Sequence, residues 1–303
     1  MKKVAIVILN WNGKRDTMQC LESIEKLSII NYQLSIYVVD NGSKDGLVEE
    51  LKVQSAKCKI IENKENLGYA EGNNVGIRAA LEDEADYVMI LNNDTVVDKN
   101  LAIQLIKTIE KYPVAGIVSP KIYFANGFEF HKSRYKKDEL GKVIWYAGGL
   151  IDWKNVLLSH QGVDEVDKGQ YNETSEIDYA TGACLFVNKE VFNKIGFFDK
   201  NYFLYLEDAD FCQRAKQAGF KIIYNPKAIL WHKVAQSSGI GSSLNDYYIT
   251  RNRLLFAARY ANMRAKFALL RESIRLLFNG RKWQKRGVID YYLGNLGKGS
   301  FNS

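Results

Sequence analysis

The sequence predicts an α/β fold in which a parallel sheet becomes mixed in its second half and is followed by helices. In the first third of the chain, short apolar runs alternate with amphipathic helical patterns, which is typical of repeated β-α units. Further along, β-rich segments follow one another closely around paired glycines, which favours antiparallel strands. The last part of the chain has a helical pattern. We expect an α/β domain over 1–244, with halves 1–120 and 121–244, and a helical region over 245–303.

Each element expected in the first half has a local reason. The strands are short runs rich in Val, Ile, Leu and Tyr that end on polar residues or glycine. The helices place apolar residues three or four positions apart, and β-α units of this length join parallel neighbours with helices on both faces of the sheet. Strands are expected at 4–9, 34–40, 59–62 and 87–91, and helices at 16–26, 47–54, 70–81 and 101–111.

The second half begins with a strand expected at 114–119 and then changes rhythm. The segment VIWYAGGLIDWKNVLL has paired glycines between β-rich flanks, and further strands are expected at 177–179 and 183–187. An amphipathic helix begins near Glu207 and ends at Gly219, because glycine commonly follows a helix C-terminus. The central sheet should therefore be mixed.

Composition and charge narrow the class of protein. The 47% hydrophobic and 25% charged residues are ordinary for a globular chain, and no stretch reaches the roughly 18 apolar residues of a membrane span. The apolar run at 4–9 is too short for a signal peptide and closes on Asn-Trp-Asn-Gly, so we expect a cytoplasmic protein. The net charge is +7, but no nucleic-acid recognition motif accompanies it, and we expect no nucleic-acid partner.

The basic excess lies near the C-terminus. Residues 251–286 contain eleven Lys or Arg and one acid, Glu272, interleaved with Leu, Phe, Ala and Trp at helical spacing. A basic amphipathic helix of this kind can lie on an anionic membrane surface, which would make the protein peripheral on the inner face of the cell membrane. It can equally pack on the domain and leave a solvated basic face. Both alternatives are open at the level of sequence.

Polar residues follow the fourth expected strand. Asn92, Asn93 and Asp94 put two amides and a carboxylate at the C-terminal end of a buried strand, where open α/β sheets bind ligands. A carboxylate with few neutralising neighbours suits a hard divalent ion that takes its other ligands from a substrate diphosphate. The alternative is an aspartate that caps the next helix or turn.

Two further segments open on the same edge. Asp40 ends the second strand and can accept hydrogen bonds from the N–H edge of a pyrimidine base or from ribose hydroxyls, although Asp-Asn-Gly-Ser is also good turn chemistry. In NLGYAEGNNVG, Gly68, Ala70 and Gly72 let a ligand approach the backbone closely, and the nearby helix N-terminus favours phosphate. The edge is therefore expected to bind a nucleotide diphosphate.

The motifs VILNWNG, VVDNGSKDG, ENLGYAEGNNVGI and LNNDTVV, in this order, resemble the family 2 glycosyltransferases with the GT-A fold, in particular the rhamnosyltransferase-like branch. The resemblance covers roughly residues 3–260. It implies that Asp40 binds the nucleotide base and that Asp94 is the metal-binding carboxylate of a DXD-type motif. Asn92 replaces the first acid of that motif, which should make metal binding more dependent on the diphosphate. The residues assigned to the nucleotide and donor are Asn10, Asn12, Asp40, Asn66, Gly68, Asn73, Asn92 and Asn93.

The same resemblance assigns roles in the second half. FFDKNYFLYLEDADF is similar to the family segment in which the aspartate after glutamate is the general base, here Asp208. Acids in the first turn of a helix also favour the helix dipole without any catalytic role. Gly182 and Ala183, with Glu207, would form the acceptor side, and the alternative for the glycine and alanine is plain strand packing. The family commonly brings a histidine from the region of His232 to the metal.

The expected reaction is a metal-dependent, inverting sugar transfer. A divalent ion, Mg²⁺ or Mn²⁺, would stabilise charge on the leaving diphosphate while Asp208 activates an acceptor hydroxyl. The expected donor is dTDP-rhamnose or a UDP-sugar, and the expected acceptor is a cell-surface polysaccharide or a lipid-linked glycan. A non-catalytic nucleotide-sugar-binding or scaffold protein is the second reading. Sugar-nucleotide pyrophosphorylases are a third, but LNWNGKRD offers only Gly13 where they need a glycine-rich loop.

Overall fold

A computed structural model describes residues 1–29, 31–54, 57–234 and 241–301. The strands are β1 (Lys2–Asn10), β2 (Tyr32–Asp40), β3 (Cys58–Glu62), β4 (Tyr87–Asn92), β5 (Thr95–Val97), β6 (Ala115–Phe124), β7 (Ile144–Tyr146), β8 (Gly149–Asp152), β9 (Leu157–His160), β10 (Ser175–Glu176), β11 (Cys184–Asn188) and β12 (Lys221–His232). The helices are α1 (Lys14–Ile24), α2 (Leu47–Gln54), α3 (Gly68–Glu82), α4 (Leu101–Lys111), α5 (Lys189–Ile195), α6 (Glu207–Gln217), α7 (Ser243–Tyr260), α8 (Met263–Asn279) and α9 (Lys282–Tyr292).

The strands of the described residues form a central sheet in the order β10-β12-β6-β11-β4-β1-β2-β3, with β5 beside β12 and β7 beside β6. Strands β4, β1, β2 and β3 are parallel, as expected for β-α units. Strand β11 runs antiparallel to both β4 and β6, so the sheet is mixed. Strands β8 and β9 pair separately as a hairpin. The predicted fold class, a mixed α/β sheet followed by helices, is confirmed.

Two short strands differ from the sequence prediction. The strand expected at 177–179 is wrong: the backbone pairs with β12 at Ser175–Glu176, and Tyr179 makes only a single bridge to Gly149. Strand β5 was not expected, and it pairs antiparallel with the end of β12, opposite His232. The apolar segment after Asp94 forms β5 and returns the chain to the sheet. This pairing brings Asp94 to the end of β12.

The C-terminal helices share the core of the α/β part. Leu255 and Phe256 of α7, Leu269 of α8 and Val288 of α9 are buried and belong to the same hydrophobic cluster as the central strands. The division of the chain at residue 244 stays a prediction, and that boundary falls inside the first turn of α7. Among the described residues, no helix has the length and apolar character needed to cross a bilayer.

Candidate active site

A cleft of about 280 Å³ opens at the C-terminal ends of the parallel strands. The register places Asn10 opposite Asp40 and Leu9 opposite Asn92, so the polar strand ends meet at one edge as expected. The cleft is lined by Leu9, Trp11, Asn41, Asn66, Gly68, Tyr69, Asn92, Asn93, Asp94, Phe203, Leu204, Leu244, Tyr248, Lys298 and Phe301.

Asp94 and His232 meet beside this cleft. The pairing of β5 with β12 positions them, because Lys233 N–H also donates to the Asp94 carbonyl at 2.9 Å. Asp94 Oδ1 lies 3.0 Å from His232 Nε2. Burial alone would raise the pKa of the Asp94 carboxyl, but its electrostatic interaction and hydrogen bond with His232, together with the charge of Lys233, outweigh burial and hold that pKa below its ordinary value. Asp94 is therefore an anion facing the cleft.

A divalent ion fits these two side chains. The 3.0 Å between Asp94 Oδ1 and His232 Nε2 is close to the separation of neighbouring ligands that each lie ~2.1 Å from an octahedral ion. Asp94 Oδ1 and His232 Nδ1 are buried, and among the described residues neither has an aligned hydrogen-bond partner. No group of three or more His, Cys, Asp or Glu in the described part of the chain is arranged to hold a metal. Further ligands would have to come from a diphosphate or water.

The first two βα loops are tied together by their predicted site residues. Asn10 Nδ2 donates to Asp40 Oδ1 at 3.0 Å, and Ser43 N–H donates to Asp40 Oδ2 at 2.9 Å. Asn12 Oδ1 accepts from Lys44 N–H at 2.9 Å. Asn10 and Asp40 are buried and are not among the residues that line the cleft. Each Asp40 oxygen keeps a lone pair, so its assignment to the base stays a prediction.

The start of α3 differs from the phosphate site that we expected. Tyr69 N–H and Ala70 N–H both donate to the Phe203 carbonyl, at 2.6 and 3.2 Å, so these donors are occupied by the protein itself. Gly68 has φ +82°, and a Cβ there would lie 2.5 Å from the Phe203 ring. The glycine is therefore needed for close packing against Phe203 rather than for phosphate approach alone.

The predicted asparagines divide between the cleft and the interior. Asn66 lines the cleft, and its Oδ1 accepts from Asn41 Nδ2 at 3.0 Å. Asn92 and Asn93 also line the cleft, and Asn93 Nδ2 donates to Thr17 Oγ1 at 3.0 Å. Asn73 is buried within α3 and donates to the Tyr69 carbonyl, so the structure does not bring it to the cleft. Some of the residues predicted to bind the donor therefore line the cleft, and others are buried behind it.

Asp208 is joined to the predicted acceptor side. Gly182 N–H donates to Asp208 Oδ2 at 2.7 Å, and Ala209 N–H donates to Oδ1 at 2.7 Å. Burial raises the pKa of the Asp208 carboxyl despite these two bonds, which act in the opposite direction. Ala183 is buried, and its carbonyl accepts from Asn92 N–H at 3.1 Å. Gly182 and Ala183 therefore connect the candidate base to the edge that carries Asn92.

Glu207 is buried at the start of α6. Burial, with the charges of Asp208 and Asp210, raises the pKa of the Glu207 carboxyl well above its usual range. Its Oε2 atom is buried and has no hydrogen-bond partner among the described residues. Asp210 is different: it accepts from Arg214, Arg259 and two tyrosines, and so joins α6 to α7. Asp210 is a structural residue.

The turn that enters α6 is strained. Phe203, Tyr205 and Leu206 all have φ between 63° and 69°, a region that non-glycine residues rarely adopt. Buried Asn252 of α7 donates its Nδ2 to the carbonyls of residues 202, 204 and 205 at 2.8 to 2.9 Å. The C-terminal helix therefore holds the turn that presents Asp208.

The sequence prediction missed a set of cleft residues. Tyr69 is the most central of them: its hydroxyl donates to the Gly182 carbonyl at 2.6 Å, and Gly182 N–H in turn donates to Asp208. Tyr69 lies inside the motif ENLGYAEGNNVGI, which was the available signal, and the structure places it in the first turn of α3. Leu9, Trp11, Asn41, Phe203 and Leu204 also lie inside motifs that the sequence analysis singled out. Leu244, Tyr248, Lys298 and Phe301 come from the C-terminal part of the chain, where no motif marks them.

His160, a histidine without an assigned motif, lies near His232. The rings of His160 and His232 flank Trp145, with centroid separations of 4.4 and 4.5 Å. Burial lowers the pKa of His160 to about 4, so its ring is neutral at neutral pH. We infer that His160 packs against Trp145 and holds its ring in place, and that Trp145 in turn positions the ring of His232.

Solved structures share this architecture. The crystal structure of GalNAc-T7 with UDP, GalNAc and Mn²⁺ gives a TM-score of 0.60 at 18% identity, over 90% of this chain and 55% of that one. The mannosyltransferase PcManGT from Pyrobaculum calidifontis, in complex with GDP-Man and Mn²⁺, gives 0.56 at 14% identity, over 99% of this chain and 76% of that one. The fold is therefore the GT-A glycosyltransferase fold that the motifs predicted.

The chain belongs to glycosyl transferase family 2, whose model matches residues 5–196. The low-salt glycan biosynthesis hexosyltransferase Agl10 of Haloferax volcanii is 26% identical over 222 residues, which cover 72% of this chain and 63% of that protein. The N-acetylglucosaminyl-diphospho-decaprenol L-rhamnosyltransferase of Mycobacterium tuberculosis is 27% identical over 217 residues, 68% of each. The chain thus spans about two thirds of these relatives. The predicted family and its enzyme class, glycosyltransferase, are confirmed.

Proposed function

We propose that this protein is an inverting, metal-dependent glycosyltransferase that moves rhamnose from dTDP-rhamnose to a hydroxyl of a cell-surface polysaccharide or lipid-linked glycan precursor. One observation carries the proposal: Asp94 lines the cleft, and Asp208 is joined to the same cleft by the hydrogen bonds of Gly182 to Asp208 and Tyr69. Asp94 and His232 stand at the donor edge, and Asp208 is bonded to Gly182 on the acceptor side. Tyr69 lines the cleft and bonds to the same Gly182.

The side of the cleft that would bind the sugar-nucleotide donor offers a charged group, side-chain amides and an aromatic ring. A divalent ion, Mg²⁺ or Mn²⁺, held by Asp94 and His232 would stabilise the negative charge of the leaving diphosphate. Asn66 and Asn92 present amides to the cleft for the ribose and phosphates. Trp11 is about half exposed at the cleft and offers a face on which a base can stack.

Asp208 acts on the acceptor. Its raised pKa makes the carboxylate a stronger proton acceptor than an exposed aspartate, while the bonds from Gly182 and Ala209 keep its oxygens in one place. The acceptor hydroxyl transfers its proton to an Asp208 oxygen as its own oxygen attacks the anomeric carbon. Positioning by two backbone donors is what general-base catalysis needs.

Inversion follows from a single displacement. A retaining double displacement needs a carboxylate nucleophile against the anomeric carbon. Glu207 is the neighbouring carboxyl, but burial and the charge of Asp208 favour its neutral form. The acceptor oxygen is therefore the nucleophile, and the configuration at the anomeric carbon changes once.

The donor and acceptor rest on the relatives. The mycobacterial relative is named for rhamnosyl transfer to a diphospho-decaprenol carrier, and poly-β-1,6-N-acetyl-D-glucosamine synthase of Staphylococcus epidermidis also matches, at 23% identity over 241 residues. These names support a carrier-linked or polysaccharide acceptor, met at the inner face of the cell membrane. A UDP-sugar donor is the alternative within the same chemistry, and a nucleotide-sugar-binding scaffold without turnover is the alternative outside it.

The test is product formation with a matched variant. Purified protein with Mn²⁺, dTDP-rhamnose or a UDP-sugar, and a GlcNAc-diphospho-lipid analogue should give a glycosylated product of inverted configuration by NMR. Asp208→Asn should reduce transfer by about 10³-fold while the Kd for the nucleoside diphosphate stays nearly unchanged. Equal loss of transfer and of nucleotide affinity would contradict the assigned role. Intact binding without transfer to any acceptor offered would favour the scaffold.

A further inference from the structure

Helix α8 exposes large apolar side chains to solvent. Its core-facing side is made of Ala265, Leu269 and Ser273, which are buried. On another side of the same helix, Phe267 is 60% exposed and Phe278 is 76% exposed. The exposed apolar residues, called here the apolar stripe, are Met263, Phe267, Leu270, Ile274, Leu277 and Phe278.

The apolar stripe is continuous along the helix. At 100° per residue its six members fall within an arc of about 100°, centred well away from the core-facing side. A helix that needed only one apolar side to pack on its domain would carry polar residues here. A contiguous exposed apolar surface marks a binding surface.

Cations border the apolar stripe. On the helical projection, Arg264, Arg271 and Arg275 follow one edge and Lys266 lies on the other. None of these four side chains makes a hydrogen bond or ion pair with another described residue. The acid of this helix, Glu272, is already bonded to Arg253 of α7. The border is therefore uniformly positive.

The arginines of α7 do not contribute to this surface. Arg251 is fully buried and donates to backbone carbonyls of residues 201, 202 and 297. Arg253 donates to the carbonyls of residues 155 and 156, and Arg259 pairs with Asp199 and Asp210. The basic surface predicted over 251–286 is therefore smaller than expected, because its first three arginines are bonded to other parts of the protein.

We propose that the apolar stripe of α8 docks in the interface of an anionic lipid bilayer, with the helix lying parallel to the membrane. The apolar side chains would enter the acyl boundary while the arginines and lysine contact the lipid phosphates. The alternative partner for the apolar stripe is the same surface of a second copy of this chain. Pairing about a twofold axis would set a positive border of one copy against a positive border of the other, with no free acid on α8 to neutralise them, whereas anionic headgroups complement them.

This inference deepens the proposed function, since a lipid-linked acceptor lies in a membrane, but it rests on α8 and not on the transfer chemistry. The test is cosedimentation of the full chain with vesicles of phosphatidylcholine alone or with 30% phosphatidylglycerol. The wild type should bind the anionic vesicles and bind the neutral ones at least about tenfold less. Phe267→Ser/Phe278→Ser should lose about tenfold or more of the anionic binding, and Arg271→Gln/Arg275→Gln should reduce the preference for anionic lipid.

A matched control replaces exposed valines away from α8, Val53→Ser/Val114→Ser, and should bind vesicles like the wild type. Nucleotide binding in solution should be the same in all variants. Vesicle binding therefore tests membrane docking, and nucleotide binding and transfer test the transferase proposal separately. Absence of vesicle binding, or equal binding to both vesicle types, would overturn the inference. A dimer in lipid-free solution that Phe267→Ser/Phe278→Ser disrupts would overturn it in favour of a second copy.

Discussion

Asp208 and Glu207 are adjacent acids with different surroundings. Asp208 accepts two backbone hydrogen bonds, from Gly182 and Ala209, which favour its charged form and partly oppose the effect of burial. Glu207 is more deeply buried and has an oxygen without a partner among the described residues, so the pKa of its carboxyl is raised much further. Burial therefore favours the neutral form of Glu207 more strongly than that of Asp208, which leaves Asp208 as the better candidate for the base.

Glu207 should make stability depend on pH. A carboxyl whose folded pKa is raised contributes stability that is fully present below its unfolded pKa of about 4.3 and is lost as pH rises through the folded pKa. Glu207→Gln removes this titration, so we expect the variant to lose less thermal stability than the wild type between pH 4 and pH 8. The measurement is Tm against pH by differential scanning calorimetry.

Glu173→Gln is the matched control for that experiment. Glu173 is exposed, and its substitution should leave the wild-type curve unchanged. If Glu207→Gln kept the full pH dependence of Tm, the assignment of a strongly raised pKa to Glu207 would be wrong.

At the scale of elements, α7 and the segment after α9 build the far side of the cleft. The strained turn before α6 is held by Asn252, while Arg251 binds the Gly297 carbonyl of the C-terminal segment at 2.7 Å. Tyr248 Oη donates to the Lys298 carbonyl at 3.0 Å, and Ser300 N–H donates to Asp290 at 2.9 Å. The C-terminal helices thus shape the active site.

Asn252→Ala should lower kcat more than it weakens nucleotide binding. Buried Asn252 donates to three carbonyls of the turn. Arg251 still donates to the Tyr202 carbonyl in the variant, but the carbonyls of Leu204 and Tyr205 lose the Asn252 donor, which should reduce the free energy of unfolding by about 2–3 kcal/mol and misplace Asp208. We expect kcat to fall by about tenfold or more with the Kd for dTDP within about threefold. The measurements are initial rates and calorimetric titration below the Tm.

Asn245→Ala, on the first turn of the same helix, is the control and should leave both rate and stability near wild type, since its side chain makes no hydrogen bond with a described residue. A normal kcat in Asn252→Ala would show that the turn keeps its geometry without this residue.

Lys298 should bind the diphosphate of the donor. It is the one Lys or Arg among the described residues that line the cleft, and its backbone is fixed by Tyr248. Lys298→Gln should weaken nucleoside diphosphate binding by about fivefold, or ~1 kcal/mol, because a partly exposed charge pair is worth about that much. Nucleoside monophosphate binding should change less.

Calorimetric titration of both nucleotides against Lys298→Gln, with the exposed Lys26→Gln as control, measures this difference. Equal losses for monophosphate and diphosphate would mean that Lys298 acts on the fold of the cleft rather than on phosphate charge.

At the scale of the molecule, the sequence predicted what local pattern and strand order determine. The polar ends after β1, β2 and β4 meet at one edge, as parallel register requires. The meeting of His232 with Asp94 was expected only from the family resemblance. Other contacts between distant segments were not predictable. The Phe203 carbonyl occupies the start of α3, Asn252 supports the turn before α6, and Lys298 reaches the cleft. Each depends on tertiary packing that no local pattern encodes.

We expect the edge beside Asp94 and His232 to bind a metal and a nucleotide diphosphate together. The most direct test is calorimetric titration of the protein with dTDP, UDP and GDP in Mn²⁺ or Mg²⁺, repeated in EDTA and with Asp94→Asn. We predict binding that prefers dTDP or UDP, that requires the metal, and that Asp94→Asn abolishes. Binding that is unchanged in EDTA and in Asp94→Asn, or absent under every metal condition, would contradict the account.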